Sequence, residues 1–130
     1  MKVIVQICIE GAASRPFTVP LHTMDDRCDQ VQDVGLSLGD AKSILGKIQQ
    51  TLVRQQLESY LAERRACPHC QRPRAMKGYH PLRFRTAFGD IALRSPRWHR
   101  CQCEQSREAT FCPLSELLKV HTSPELAYLG

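Results

Sequence analysis

The sequence predicts an α+β fold: a small N-terminal β unit, one long amphipathic helix and a C-terminal zinc-ribbon hairpin. Apolar side chains alternate over residues 2–10, and apolar positions recur at spacings of three and four from residue 38 to about residue 65. Two close cysteine pairs then flank a segment of thirty residues. We expect residues 1–66 to hold the β unit and the helix, 67–103 the zinc ribbon, and 104–130 a C-terminal helical segment.

The β unit is predicted from two short apolar runs. Residues 2–10 alternate in the manner of a strand with one or both faces covered. Residues 11–16 are typical of a turn, and residues 17–21 are expected to return as a second strand, which Pro20 would place at an edge. Cys8, inside the first run, is expected to be a small buried hydrophobe.

The long helix follows a polar, acidic stretch at residues 22–35, which we expect to form a loop. Ser37 is the candidate N-cap, and Asp40, three residues later, gives a weak capping box. A broad apolar stripe follows, and it consists of Leu38, Ala41, Ile44, Leu45, Ile48, Leu52, Val53, Leu57 and Leu61. Because the stripe is wider than a coiled-coil seam, it favours a core helix packed on the strands over the alternative, a dimer interface.

Two cysteine pairs give the strongest chemical signal. Cys67 and Cys70 form Cys-Pro-His-Cys, and Cys101 and Cys103 form Cys-Gln-Cys. Two thiolate pairs joined by a hairpin can surround one tetrahedral ion, so we predict one structural Zn²⁺ with these four ligands. The second pair has one intervening residue rather than the commoner two. Three further donors therefore stay open as substitute ligands, and these are His69, His99 and Cys112.

Other roles for the cysteines fit the sequence less well. A redox Cys-x-x-Cys would sit near a βαβ pattern, whereas Cys67 follows a helical segment. A disulfide framework needs an oxidising compartment, and the N-terminus has no signal-peptide pattern. No segment has the length of a membrane span. We therefore expect a cytoplasmic protein, where paired thiols more often hold metal, with Cys28 as an exposed free thiol.

Charge is concentrated around the predicted ribbon. The window from Arg64 to Arg107 holds eleven basic and two acidic residues, a net +9, and the remaining chain carries −4. Ten of the eleven basic residues are arginine, whose planar fork matches phosphate groups and guanine edges. This favours a polyanionic partner over a merely solvated basic surface, and we expect that partner to be nucleic acid. The candidate contacts are Arg72, Arg74, Lys77, Arg83, Arg85, Arg94, Arg97 and Arg100.

Alternation within the predicted hairpin sorts its side chains onto two faces. Residues 82–86 and 91–94 are expected to form strands about Gly89-Asp90, with the second strand ended or placed at an edge by Ser95-Pro96. Leu82, Phe84, Ile91 and Leu93 would face inward, and Arg83, Arg85 and Arg94 outward. Trp98 is expected to pack on the hairpin rather than to stack on a base.

The sequence ends in two short helical segments. Residues 113–118 are predicted to be helical, and Ser123-Pro124 marks the start of another helix. Because the chain stops at Gly130, we expect this region to be truncated. Its apolar side chains would then be partly exposed, namely Leu117, Leu118, Leu126 and Leu129.

No catalytic centre is predicted. The sequence lacks a glycine-rich phosphate loop and a nucleophile–base arrangement. His22, His80 and His121 are isolated and are expected to be ordinary surface or partly buried histidines. The acidic cluster has no apolar frame, so we expect a solvated loop rather than a Mg²⁺ site; its members are Asp25, Asp26, Asp29 and Asp33.

Several short segments follow one another in a specific order. They include Ala66-Cys67-Pro68-His69-Cys70, Phe84–Gly89, Leu93–Trp98, Cys101-Gln102-Cys103 and Thr122–Leu126. From about Leu36 to Leu129, this series resembles the N-terminal region of bacterial insertion-sequence transposases of the ISKra group. The resemblance implies DNA binding during DNA transposition, with transposon ends as the partner, the four cysteines as metal ligands and the arginine-rich hairpin as the DNA-contacting part.

The resemblance also bears on activity. Such transposases resemble enzymes that cut and join DNA with an acidic triad and Mg²⁺, and that catalytic domain would lie after residue 130. We therefore assign no catalytic residue and do not expect this chain to be active alone. The alternative function is a stand-alone zinc-ribbon adaptor that binds RNA or a protein in transcription or translation. A homodimer through the long helix or the C-terminal segment also stays open.

Overall fold

The computed structural model describes residues 1–11, 15–25 and 28–129, and it is α+β, as the sequence predicts. It contains two small antiparallel sheets, β1-β2 and β3-β4-β5, and one long helix. The elements are β1 (Lys2–Ile9), β2 (Phe17–Asp25), α1 (Leu38–Arg64), β3 (Met76–Thr86), β4 (Gly89–His99), β5 (Thr110–Phe111), α2 (Leu114–Leu117) and α3 (Pro124–Leu129). The chain divides into two compact units, Met1–Thr51 and Leu52–Gly130.

The N-terminal unit begins with the predicted β-hairpin. β1 and β2 pair antiparallel from Lys2 opposite Asp25 to Ile9 opposite Phe17, with a register shift between Val5 and Gln6. The expected burial of Cys8 was wrong, because its side chain is exposed. It alternates with the half-buried Val5, Ile7 and Ile9 and so lies on the open face of the strand. The middle of the predicted turn, residues 12–14, lies outside the described residues.

The stretch expected as a loop before the helix is partly regular. β2 continues to Asp25, and Val31–Asp33 forms one 3-10 turn. Asp26, of the acidic cluster, lies outside the described residues. The helix then begins as predicted: Ser37 Oγ accepts a hydrogen bond from the Asp40 amide at 3.0 Å and donates one to the Asp40 carboxylate at 2.7 Å. His22 contributes a third contact, 2.8 Å from Asp40 Oδ1.

The second unit has its core between α1 and the long hairpin. The buried core consists of Val53, Leu57, Ile91 and Leu114, against which Tyr60, Leu61, Phe84, Leu93 and Leu118 pack. In this unit Val53, Leu57 and Leu61 of the apolar stripe pack in the core, as the broad pattern predicted. Leu38, Leu45 and Leu52 of the same stripe are exposed, so packing covers only part of it. Three strand residues expected to face inward, Phe84, Ile91 and Leu93, do so.

The hairpin is longer than the sequence indicated. β4 runs past Pro96 to His99, whereas the proline was expected to end the strand or place it at an edge. The end of β4 is held by β5, where Trp98 pairs with Phe111 and His99 with Thr110. This partner comes from a segment more than ten residues downstream, so the local sequence around Pro96 gives no indication of it.

The C-terminal segment is attached to the hairpin at two places. Leu114, at the start of α2, is 1% exposed and belongs to the core. Further on, the Arg85 amide donates to the His121 carbonyl at 2.9 Å, and the Ser123 amide donates to the Arg85 carbonyl at 2.7 Å. Ser123 also caps α3, as predicted, by accepting from the Leu126 amide. Leu117 and Leu129 are exposed.

Candidate metal centre

The four predicted ligands come together in space. The Sγ atoms of Cys67, Cys70, Cys101 and Cys103 all lie within 4.8 Å of one another. Close sulfur pairs are 3.2 Å apart for Cys67–Cys103 and 3.3 Å apart for Cys70–Cys101. These separations exceed the disulfide bond length of about 2.05 Å. Four sulfurs that surround Zn²⁺ at about 2.3 Å are expected to lie about 3.8 Å apart, and this spacing falls between the shortest sulfur–sulfur distance, 3.2 Å, and the upper limit of 4.8 Å. Four cysteines in this arrangement can hold a metal ion.

The first cysteine pair lies in a tight turn directly after α1. An antiparallel bridge joins Ala66 to Pro73 and closes the turn. Inside it, the Cys67 amide donates to the Arg72 carbonyl and the Gln71 amide donates to the Cys67 carbonyl, each at 2.9 Å. Gln71 takes a positive φ of 62°, which turns the chain back after Cys70. The turn therefore places both sulfurs on the same side, with Cys67 fully buried.

The second pair follows the end of β4. The His99 amide donates to the Ala75 carbonyl at 2.8 Å, which brings the segment after the strand back to the first turn. The Glu104 amide then donates to the Cys101 carbonyl at 3.0 Å, so Cys101-Gln102-Cys103 forms a tight turn of its own. One intervening residue is enough here, since the Sγ atoms of Cys101 and Cys103 lie 3.3 Å apart.

The thiols of the cluster differ in acidity. The backbone amide of Cys70 lowers the pKa of Cys67 to about 6. The backbone amide of Cys103 likewise lowers the pKa of Cys101. By contrast, the hydrogen bond between the Cys103 thiol and the Cys67 sulfur stabilises the protonated form and raises the pKa of Cys103. A cation bound by all four sulfurs would replace this hydrogen bond, because metal binding favours the deprotonated thiols.

The substitute ligands left open by the sequence do not belong to the cluster. Within the described residues, the group that could hold a metal contains none of His69, His99 and Cys112. Cys112 Sγ is instead 4.0 Å from His80 Nδ1. Cys28 is an exposed free thiol, as predicted.

A charged network beside the cysteines was missed by the sequence analysis. Glu104 Oε1 accepts from Arg74 Nη2 at 2.6 Å and from Arg74 Nε at 3.0 Å, while Glu104 Oε2 lies 3.3 Å from Arg100 Nη1. Burial raises the pKa of Glu104, but the hydrogen bonds and charge of Arg74 outweigh it, so the pKa is lowered overall. Arg74 also donates to the carbonyl of Arg64 at 2.7 Å, at the end of α1.

Aromatic packing supports the same region. Trp98 is 2% exposed and meets the Phe111 ring edge to face, with ring centroids 6.0 Å apart. Its burial confirms the packing role predicted for it. The guanidinium carbons of Arg74 and Arg100 lie 5.1 and 4.7 Å from the centre of the Phe111 ring. The guanidinium groups of both arginines therefore contact Glu104 and Phe111.

The remaining candidate nucleic-acid contacts are exposed. Arg83, Arg85 and Arg94 lie on one face of the hairpin, because Arg83 pairs with Ala92, Arg85 with Asp90 and Arg94 with Pro81. Asp90 lies 4.0 Å from Arg83 and 3.9 Å from Arg85, and the Arg94 guanidinium covers the Tyr79 ring at 4.2 Å. Three other candidates are also exposed, and these are Arg72, Lys77 and Arg97.

The chain matches no known family model, no curated protein and no solved structure. In the described part of the chain, no helix is both long and apolar enough to cross a membrane.

Proposed function

We propose that Cys67, Cys70, Cys101 and Cys103 bind one structural Zn²⁺. The donor set supports zinc, since four thiolates in a compact group are the ligands of closed structural zinc sites. The arrangement leaves no donor position for water or substrate, which is expected of a structural rather than a catalytic site. The ion would join the turn after α1 to the turn after β4 and so fix the base of the hairpin.

We further propose that the chain is a DNA-binding region of a transposase-like protein. The observation that carries this proposal is the exposed arginine face of the hairpin, formed by Arg83, Arg85 and Arg94. A rigid two-stranded ribbon that presents guanidinium groups on one face suits the phosphates of a duplex. The resemblance to ISKra-group transposases supports transposon ends as the target and DNA transposition as the process. Catalysis is not assigned to this chain.

We restrict the proposed contacts to the exposed candidates. Arg74 and Arg100 are left out, because their guanidinium groups bind Glu104 and cover Phe111. The contacts that stay in the proposal are Arg72, Lys77, Arg83, Arg85, Arg94 and Arg97. Their exposure means that replacing them is expected to change the surface and leave the core intact.

The proposal is tested by measuring duplex DNA binding as a function of salt. If three to five charges meet phosphates, log K falls with log salt with a slope of about −3 to −4.5, at about 0.9 per contact. Replacing Arg83, Arg85 and Arg94 together by Gln is expected to flatten this slope by about 2 to 3 units. A matched control removes the same number of charges from exposed positions off this face, namely Arg15, Arg107 and Lys119.

The outcomes separate the candidate functions. Equal effects of the two triple variants would show that net charge alone drives binding, and would remove the hairpin face as the contact surface. No duplex binding by the unaltered chain at about 50 mM salt, where electrostatic attraction is strong, would refute the DNA proposal. A stoichiometric complex with a protein or RNA under those conditions would instead identify a zinc-ribbon adaptor.

A further inference from the structure

The outer edge of β1 has no neighbour in the described part of the chain. Its sheet contains two strands, β1 and β2, so each strand has one open edge. β1 runs for eight residues, Lys2–Ile9, without proline or glycine and with one charged side chain, Lys2. An open strand edge presents a row of unpaired backbone N–H and C=O groups, which makes it a template for another strand.

The other long strands are interrupted by proline and are paired in part at their outer edges. β4 contains Pro96 and pairs with β5 at its end, and β3 contains Pro81 and bonds to the backbone of residues 121–123 at Arg85. β2 contains Pro20, which lacks a backbone donor, and its pairing shifts register opposite Val5/Gln6. Proline and register irregularities are devices that protect a strand edge, and β1 itself has no proline.

The two-stranded sheet also has apolar surface left to cover. Ile4 is 54% exposed and Val3 is 37% exposed, although both lie within a strand. An isolated two-stranded sheet is marginally stable in water, and additional strands with a shared apolar face stabilise it. A strand added beside β1 would extend both faces of the hairpin.

We propose that the added strand is β1 of a second copy of this chain, paired antiparallel about Gln6. In this register Val5 lies opposite Ile7 of the second copy, so the alternating apolar side chains of both strands stay on one face. The same register places Lys2 opposite Glu10 of the second copy, and the two-fold axis repeats this ion pair. The strand is thus complementary to itself in both apolar pattern and charge.

Other registers and the parallel orientation of the β1–β1 pair do not match both the apolar pattern and the charges. Moving the axis to Val5 places Lys2 opposite Cys8 and leaves Glu10 without a partner. Moving it between Val5 and Gln6 brings residues of opposite faces together, so the apolar side chains no longer align. Parallel pairing in register places Lys2 against Lys2 and Glu10 against Glu10, and like charges directly opposite are destabilising.

The first experiment measures molar mass against concentration by analytical ultracentrifugation of the full chain. A single strand pair makes a small interface, so we expect a reversible dimer with a dissociation constant of about 1–100 µM. Glu10→Lys is expected to weaken the dimer about tenfold, because it turns two attractive pairs into repulsive ones. Glu10 follows the last paired residue of the hairpin, Ile9, so this change leaves the β1–β2 pairing intact. Glu125→Lys, at an exposed position in α3, is the matched control and is expected to leave the dimer unchanged.

A mixing experiment tests the register. Lys2→Glu also weakens the homodimer, but a mixture of the Lys2→Glu and Glu10→Lys chains restores opposite charges at both sites. The heterodimer should therefore be tighter than either homodimer. Lys2 lies opposite Asp25 within its own hairpin, and a partner could not repair a disturbance there, so rescue on mixing isolates the intermolecular pair. No rescue, or a monomer at all concentrations, would overturn the proposal.

A cross-linking experiment gives a second, independent readout. In the proposed register, position 4 lies opposite native Cys8 of the second copy, so Ile4→Cys should form an intermolecular disulfide when oxidised glutathione is added. Ile4→Cys combined with Cys8→Ser should lose the cross-link. Persistence of the cross-link in that double variant after Cys28, the other exposed free thiol of this unit, is also replaced by Ser would place position 4 opposite itself and overturn the register.

Discussion

Arg74 and Glu104 form an ion pair with 2.6 Å between Nη2 and Oε1, and their side chains are only 10% and 13% exposed. Arg74 follows the first cysteine turn, and Glu104 follows the last cysteine. The pair therefore joins the two segments that carry the cluster, through side chains that are not metal ligands. Both charges are largely withdrawn from water, so the Arg74 guanidinium depends on Glu104 for its countercharge. Glu104 has a second basic partner, Arg100 Nη1, at 3.3 Å.

We expect loss of either partner to destabilise the second unit. Glu104→Gln leaves the Arg74 guanidinium buried without a countercharge, which costs about 3 kcal/mol in the free energy of unfolding. Arg74→Met should cost less, because Glu104 keeps its contact with Arg100 at 3.3 Å. Chemical denaturation of the zinc-loaded protein measures this, with fluorescence of the single tryptophan, Trp98, as the probe. Arg72→Met, at an exposed position in the first cysteine turn, is the control and should change stability by less than about 0.5 kcal/mol. Equal losses of unfolding free energy in Arg72→Met and Arg74→Met would show that the ion pair does not stabilise the second unit.

Zinc binding is expected to depend on four of the seven cysteines. Cys67→Ser or Cys101→Ser should reduce the zinc content, measured by elemental analysis, from about one ion per chain to well below one. Cys8→Ser, Cys28→Ser and Cys112→Ser should leave it unchanged, because these thiols lie outside the cluster. Retention of one zinc by Cys103→Ser together with its loss from Cys112→Ser would mean that Cys112 is the fourth ligand.

Removing the metal should loosen the cysteine turns more than the apolar core. Structural zinc binding contributes directly to folding free energy, and among the described residues the apolar core cluster includes no residue of the turns around Cys67 and Cys101. Val53, Leu57 and Ile91 instead pack in the core between α1 and the hairpin. With a chelator present, NMR amide signals of the two turns should collapse while methyl signals of the core stay dispersed. Complete unfolding would show that the core depends on the metal.

The Asp40 carboxylate is expected to titrate below its ordinary range. The Ser37 hydroxyl lowers the pKa of Asp40 from 3.8, and His22 adds a smaller contribution. Because the folded pKa is depressed, the associated stability is present above about pH 3.8 and is lost as the pH falls through the folded value. Ser37→Ala should raise the titration midpoint, followed through the carboxyl carbon chemical shift, and His22→Ala should raise it less. An unchanged midpoint in Ser37→Ala would contradict the assigned cause.

The sequence predicted those features whose signal lies in short segments. The Ser37 cap, the apolar stripe of α1 and the cysteine spacing each depend on residues a few positions apart, and the structure contains all three. Strand alternation also sorted the arginines correctly from the core residues of the hairpin.

Features that depend on distant segments were not predicted. Arg74 looks in the sequence like any other basic residue of the charged window, and its burial follows from Glu104, thirty residues away. Likewise, β4 extends past Pro96 because β5 pairs with its end. Alternation shows that Cys8 and Val5 lie on opposite faces of β1, but it does not show which face is covered. In each case the structure depends on a tertiary contact between residues far apart in the sequence, and a local sequence pattern does not predict such a contact.

Asp90 is expected to weaken DNA binding by the arginine face. Its carboxylate lies 4.0 Å from the Arg83 guanidinium and 3.9 Å from that of Arg85, at the tip of the hairpin beside two of the proposed contacts. A negative charge there repels a phosphate and occupies two of the proposed donors. Asp90→Asn should therefore bind duplex DNA about fivefold more tightly at low salt, since unit charges about 4 Å apart in water interact by about 1 kcal/mol. The gain should shrink as salt rises, because both sets of charges are exposed to solvent and are screened.

Asp29→Asn makes the same charge change at an exposed position of the other unit and should have little effect. Fluorescence anisotropy titrations at two salt concentrations measure the difference, and equal gains from the two variants would show that DNA responds to total charge and not to the hairpin face.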